Sequence, residues 1–211
     1  MMNPMLYVCS TEGIKIKDDL LRFLPENRVT RIQKALKREK ALQLYTSALL
    51  TGYVLNSYGK SLRDVMYDDM GKPYIEDGVN FNISHSAGGV IVAVGAGKVG
   101  ADVQLKTGVS EAAARLFLGN DPDLELAEDI AYLWCRKEAF LKCLGTGWSL
   151  KTGEKPSVMK DTVCFGEEQY YITDYGVMDD YYISVCEKNG RDRFAVGEIT
   201  GNELELFYRS A

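Results

Sequence analysis

The chain has one histidine, His85, five prolines and two tryptophans in 211 residues. A single histidine excludes any zinc centre that needs two imidazoles. Cysteine is scarce too: Cys9, Cys135, Cys143, Cys164 and Cys186 are odd in number and form no CxxC pair. That rules against a disulfide framework and a structural zinc site, so they read as reduced, mostly buried fillers. Positive charge is not in excess, since 25 basic residues face 30 acidic ones for a net charge of −5. Nonspecific nucleic-acid binding needs a basic surface to displace counterions, so no nucleic-acid partner is expected and any phosphate site must be local. No apolar run reaches the length of a membrane span, and "MMNPMLYVCS" lacks the basic start and apolar core of a secretory signal. A cytoplasmic protein with no membrane association is the expectation.

A hydrophobic content of 46% is ample for one large domain or two small fused ones. "MLYVCS" reads as a short strand, and after the break at Pro25 apolar residues recur at helical spacing up to about Gly59. In that helical region Arg28, Arg31, Lys34, Lys37, Arg38 and Lys40 crowd together, with Glu39 the only acid among them. The run is either a solvated helix face or an anion site. "GKPYIEDG" carries loop punctuation, and "VNFNIS" then alternates as a strand. The apolar "GVIVAV", the turn "GAGK" and "VGADVQLK" predict a hairpin. In its second strand Val99, Ala101, Val103 and Leu105 share one face, and Gly100, Asp102, Gln104 and Lys106 the other.

Helical spacing returns in "SEAAARLFLG" and "LAEDIAYLWCRKEAFLKCLG", and "TVCFG", "YYITDY", "YYISVCEK" and "RFAVGEIT" read as strands. Helices followed by strands occur twice, which suggests an α+β fold of two similar halves joined near residues 95 to 110. Trp134, Glu138 and Lys142 are spaced four apart on one helix face. Taken alone, Glu138 and Lys142 make a surface ion pair worth about 0.3–0.5 kcal/mol. A carboxylate from this helix beside Asp102 and Gln104 would instead give three oxygen donors suited to Mg²⁺. His85 is open to three roles: core residue, metal ligand, or donor to phosphate. The metal role is the weakest without a second histidine, and the donor cluster Ser84, His85 and Ser86 fits a phosphate best.

In order and spacing, "GKP", "FNISHS", "VGADVQ" and "WCRKEAFLKCLGTG" resemble the signature blocks of 4′-phosphopantetheinyl transferases of the surfactin type. "LPENR" and "YYISVC" are weaker echoes at either end. The resemblance implies two α+β halves, 1–100 and 101–211, fused as an intramolecular pseudo-dimer with the active site in the cleft between them. It implies an enzyme that moves the phosphopantetheine arm of coenzyme A to a serine hydroxyl of an apo acyl or peptidyl carrier protein. Mg²⁺ is the implied cofactor and adenosine 3′,5′-bisphosphate the released product. By the same resemblance Lys72, Ser84 and His85 contact coenzyme A phosphates, His85 the 3′-phosphate. Asp102, Gln104 and Glu138 fall on the metal positions, Lys142 faces the pyrophosphate, and Glu138 is the candidate general base, with Trp134 and Lys137 in support. Gln104 departs from the family's Asp-x-Glu pattern, which implies a raised Mg²⁺ requirement and leaves a coenzyme A-binding protein with weakened transfer as the alternative. A pseudo-dimer builds its cleft within one chain, so a monomer is expected.

Overall fold

A computed structural model describes residues 3–76, 78–119, 121–147 and 156–210. Asp77 of the expected Asp-Gly turn lies outside them. In chain order the elements are β1 (Met5–Ser10), α1 (Asp18–Leu21), α2 (Glu26–Gln33), α3 (Arg38–Asn56), β2 (Met66–Tyr67), β3 (Pro73–Tyr74), β4 (Asn80–Ser86), β5 (Gly89–Gly95) and β6 (Val99–Leu105). There follow α4 (Glu111–Leu118), α5 (Ile130–Leu144), β7 (Thr162–Phe165), β8 (Glu168–Asp174), β9 (Tyr181–Lys188), β10 (Ala195–Glu198) and α6 (Gly201–Ser210). The fold is α+β. One four-stranded sheet has the order β10-β1-β5-β4, a second has the order β6-β9-β8-β7, and β2 and β3 form a separate two-stranded ribbon.

The expected hairpin of β5 and β6 does not form. β5 and β6 belong to different sheets. Every residue of β5 is buried, and its two edges are taken by β1 and β4, so no edge is left for β6, which pairs antiparallel with β9 instead. The true hairpin is β4–β5, with Ser86 opposite Gly89. Its two-residue turn, Ala87 and Gly88, has φ of 41° and 105°, the positive values a tight hairpin turn needs. The helical region after Pro25 also divides, leaving Lys34 and Lys37 on the connector between α2 and α3.

Alternation along the strands builds three cores. Val90, Val92 and Val94 of β5 and Phe81 of β4 pack against Tyr45, Leu49 and Leu55 of α3. Ile91 and Ala93 face the other way and meet Val99, Ala101 and Val103 of β6 with Ile183 and Val185 of β9. Leu133, Phe140 and Leu141 of α5 pack with Val163, Tyr170 and Ile172 of the second sheet. β10 runs parallel beside β1, and α6 places Leu204 and Tyr208 in the first core, so residues 195–210 complete the sheet with which the chain began. No helix among the described residues is long and apolar enough to cross a membrane.

Candidate functional site

β4 and β6 are the edges of their respective sheets, and they meet through side chains. The Ala101 N–H donates to Asn82 Oδ1 at 2.9 Å, and the Leu105 N–H donates to Ser86 Oγ at 3.2 Å. The common offset of 19 residues means the two strands run parallel. Between those contacts the Ser84 hydroxyl donates to Asp102 Oδ1 at 2.6 Å. Asn82, Ser84 and Ser86 alternate along β4, so the polar letters of "FNISHS" are the set that faces this seam. Asn82, Ser84 and Asp102 are buried, as groups satisfied by one another can be.

α5 brings the remaining groups. Its start is fixed by Asp129, whose carboxylate accepts from the Ala131 and Tyr132 N–H groups, and its end by Gly145 at φ 78°. The helix lies so close to β6 that a Cβ on Gly100 would sit 2.1 Å from the Cys143 nitrogen. Only glycine fits there. Two residues on, Asp102 meets Lys142, whose Nζ lies 2.5 Å from Asp102 Oδ1 and 3.1 Å from Ser84 Oγ. Glu138 Oε2 is 3.8 Å from the same ammonium. Burial would lower the pKa of Lys142, but Asp102 and Glu138 outweigh it and hold the ammonium above its ordinary value. The Glu138–Lys142 pair is therefore part of a four-residue cluster and not a solvated surface pair.

The structure thus brings Ser84, Asp102, Glu138 and Lys142 together. Gln104 shares the strand face of Asp102, but its amide donates to the Leu105 carbonyl at 3.3 Å. Lys72 lies nearby with its ammonium on two backbone carbonyls, those of Val99 at 3.1 Å and Lys142 at 2.6 Å. His85 points to the opposite side of β4 from Ser84. Burial first, then the positive charges of Lys40, Lys142 and Arg31, push its pKa down to about 4. Of the basic run, then, Arg31 and Lys40 are the cations whose fields reach His85, whereas the Arg28 guanidinium lies 5.8 Å from the centre of the Tyr67 ring.

Three sets of contacts were not legible in the sequence, although Ser86 was named there as a phosphate donor and Lys137 as a supporting residue. Asn82 and Ser86 hold the seam. Arg136, 1% exposed, donates to the Val158 and Lys160 carbonyls at 2.6 and 2.8 Å and pairs with Asp174. Lys137 is also 1% exposed, and lies 2.9 Å from both Asp121 and Asp123 and 2.9 Å from the Pro156 carbonyl. The available signal was the Arg136–Lys137 pair set among apolar residues of the same helix, which demands partners from elsewhere in the chain. A cavity of about 500 Å³ lies between the loop from Glu12 to Lys17, α3 and α6, remote from this cluster and lined by none of its members.

No family model matches the chain. Among curated proteins it is similar to a 4′-phosphopantetheinyl transferase of Bacillus subtilis, 28% identical over 190 residues that cover 76% of this chain and 84% of the relative. It is similar to 4′-phosphopantetheinyl transferase Sfp of Bacillus subtilis strain 168, 28% identical over 183 residues, 71% of this chain and 80% of the relative. A third, 4′-phosphopantetheinyl transferase ffp of Bacillus subtilis, is 28% identical over 146 residues, 63% and 65% of the two chains. All three relatives are named as transferases of the phosphopantetheinyl group, the holo-carrier-protein synthase class. At 28% identity these likenesses support a 4′-phosphopantetheinyl transferase of the surfactin type.

Proposed function

We propose that the chain moves the phosphopantetheine arm of coenzyme A onto a serine hydroxyl of an apo acyl or peptidyl carrier protein, releases adenosine 3′,5′-bisphosphate and uses Mg²⁺. The observation that supports this most is the meeting of Lys142 with Asp102 at 2.5 Å and Glu138 at 3.8 Å beside Ser84. Two fused halves, 1–100 and 101–211, supply the two walls, β4 from one and most of β6 with α5 from the other, while residues 195–210 return to the first sheet. The seam between them is the cleft, and one chain suffices to build it.

The carrier serine oxygen bonds to the phosphorus that bears the pantetheine arm, and the bond from that phosphorus to the bridging oxygen breaks. The bridging oxygen leaves with the adenosine bisphosphate. Glu138 takes the serine proton, help typically worth about 10²–10⁴-fold. Lys142 offsets the charge that grows on the departing oxygens. His85, with Arg31 and Lys40 contributing positive charge, holds the 3′-phosphate. Asp102, Glu138 and the Gln104 carboxamide are hard oxygen donors, a set that fits Mg²⁺. No group of three or more histidine, cysteine or acidic residues among the described residues could hold a metal, so the carboxamide is needed to reach three donors. Bound there, Mg²⁺ supplies further positive charge against the pyrophosphate.

The rival reading, a coenzyme A-binding protein with weakened transfer, draws on Gln104, which brings no charge and bonds the Leu105 carbonyl. Intact mass spectrometry of an apo carrier incubated with the chain, coenzyme A and Mg²⁺ separates the two. A phosphopantetheine-sized gain that is lost in Glu138→Gln supports transfer. No gain while coenzyme A still binds supports the rival.

A further inference from the structure

The last turn of an α-helix leaves carbonyls without intrahelical partners. In α5 two of them are met by lysine ammonium groups, just past the last i+4 bond. Leu141 O accepts from the Gly145 N–H at 2.9 Å, Leu144 O from Lys98 Nζ at 2.8 Å, and Lys142 O from Lys72 Nζ at 2.6 Å. Two ammonium groups at a helix C-terminus also suit its partial negative charge. Lys72 is the more deeply placed, and its Nζ makes a second bond, at 3.1 Å, to Val99 O at the start of β6. Its own backbone is held as well: the Lys72 N–H donates to Asp68 Oδ1 at 2.8 Å, and the Asp68 N–H donates to Lys72 O at 3.0 Å. Lys72 therefore runs from a closed loop next to the β2–β3 ribbon to the helix that carries Lys142 and the strand that carries Asp102.

We propose that Lys72 is a positioning residue, whose ammonium clamps the C-terminal turn of α5 to the first residue of β6 and so sets the Lys142–Asp102 contact, instead of binding a coenzyme A phosphate. An ammonium has three donors, and two are spent on carbonyls at 2.6 and 3.1 Å. Moving it to a phosphate would take from the Lys142 carbonyl the side-chain donor it has at the helix end. Burial also lowers the pKa of Lys72, the environment of a group that serves neutral carbonyls more than anions. Cβ atoms built on Gly145 would lie 3.9 Å from Lys72 Cδ and 4.0 Å from Lys98 Nζ, so the two lysines converge on one helix end.

The proposal rests on the transferase reading for its kinetic arm only. Lys72→Met and Lys72→Arg are compared with the parent for carrier modification and for amide hydrogen exchange along α5. A clamp predicts that Lys72→Met lowers kcat roughly tenfold with KM for coenzyme A within about twofold, because a small misplacement of Lys142 acts on the reaction more than on binding. It also predicts faster exchange at Leu144 and Gly145, with Leu133 unchanged, and substantial recovery of both readouts in Lys72→Arg. A KM raised roughly tenfold with kcat and exchange unchanged overturns the clamp and makes Lys72 a phosphate ligand. If the parent transfers nothing, the functional reading fails by itself and the exchange arm still decides: unaltered protection at Leu144 and Gly145 in Lys72→Met overturns the proposal. Were Lys72→Met to unfold, Lys72→Gln, which is shorter and lacks the ammonium, carries the same exchange test, with faster exchange at Leu144 and Gly145 expected and unaltered protection overturning the clamp.

Discussion

The Ser84 hydroxyl and the Asp102 carboxylate, one from the edge of each sheet, are joined at 2.6 Å, and Lys142 Nζ touches both. Ser84→Ala removes the link and leaves a buried carboxylate with one fewer donor. A loss of about 1–2 kcal/mol in folding stability is expected, read from denaturant midpoints at constant slope. Ser84→Thr keeps the hydroxyl and should retain most of the stability.

Lys142→Met takes away the counter-charge of Asp102 and Glu138. Transfer should fall by about 10²–10³-fold in kcat/KM, as for loss of a group that stabilises developing charge. Retained coenzyme A binding by calorimetry would place the loss in the chemical step; a variant as active as the parent sinks the assignment of Lys142.

Gln104→Glu restores a second carboxylate to the β6 face of Asp102. The Mg²⁺ concentration for half-maximal transfer should drop, because an added negative oxygen donor strengthens binding of a hard cation. Titration of both proteins with Mg²⁺ checks this, and superimposable curves would remove Gln104 from the metal shell.

His85 has a pKa of about 4 in the folded chain against 6.5 for the free side chain. The unfolded chain binds that proton more readily, so the His85 contribution to stability is complete above pH 6.5 and is lost as pH falls towards 4. Between pH 6.5 and 4.5 the parent should lose roughly 2 kcal/mol more than His85→Gln, whose side chain does not titrate. Coenzyme A, whose 3′-phosphate favours the protonated ring, should bind with proton uptake near pH 5, measurable from the buffer dependence of the binding enthalpy.

Lys137→Met leaves Asp121 and Asp123 buried without their cation. A cost of about 3–5 kcal/mol is expected, and thermal unfolding with and without the accompanying Asp121→Asn and Asp123→Asn changes would show whether neutralising the acids recovers it.

Much of this arrangement was visible along the chain. The period of two in Val99–Leu105 put Asp102 and Gln104 on one face, and the spacing of four put Glu138 above Lys142; both are local geometry. The hairpin reading failed because a buried strand, a glycine turn and a second strand look alike whether or not they pair. Here pairing is decided by β1 and β9, far away in sequence, which fill the edges first. Likewise Lys72 reads as a phosphate lysine by motif, yet its partners are carbonyls 27 and 70 residues on, a distance no local pattern encodes. His85 could be given a phosphate role from its neighbours, but that Arg31 and Lys40 act on it while Arg28 sits over Tyr67 depends on the folded chain.

Residues 195–210 lie beside β1 and supply Leu204 and Tyr208 to the core under α3. On a ribosome, β1, β4, β5 and α3 emerge long before them, so β1 has one flank bare until β10 follows. A chain that stops before Ala195 therefore carries the first sheet with one edge of β1 unpaired and the core under α3 without Leu204 and Tyr208.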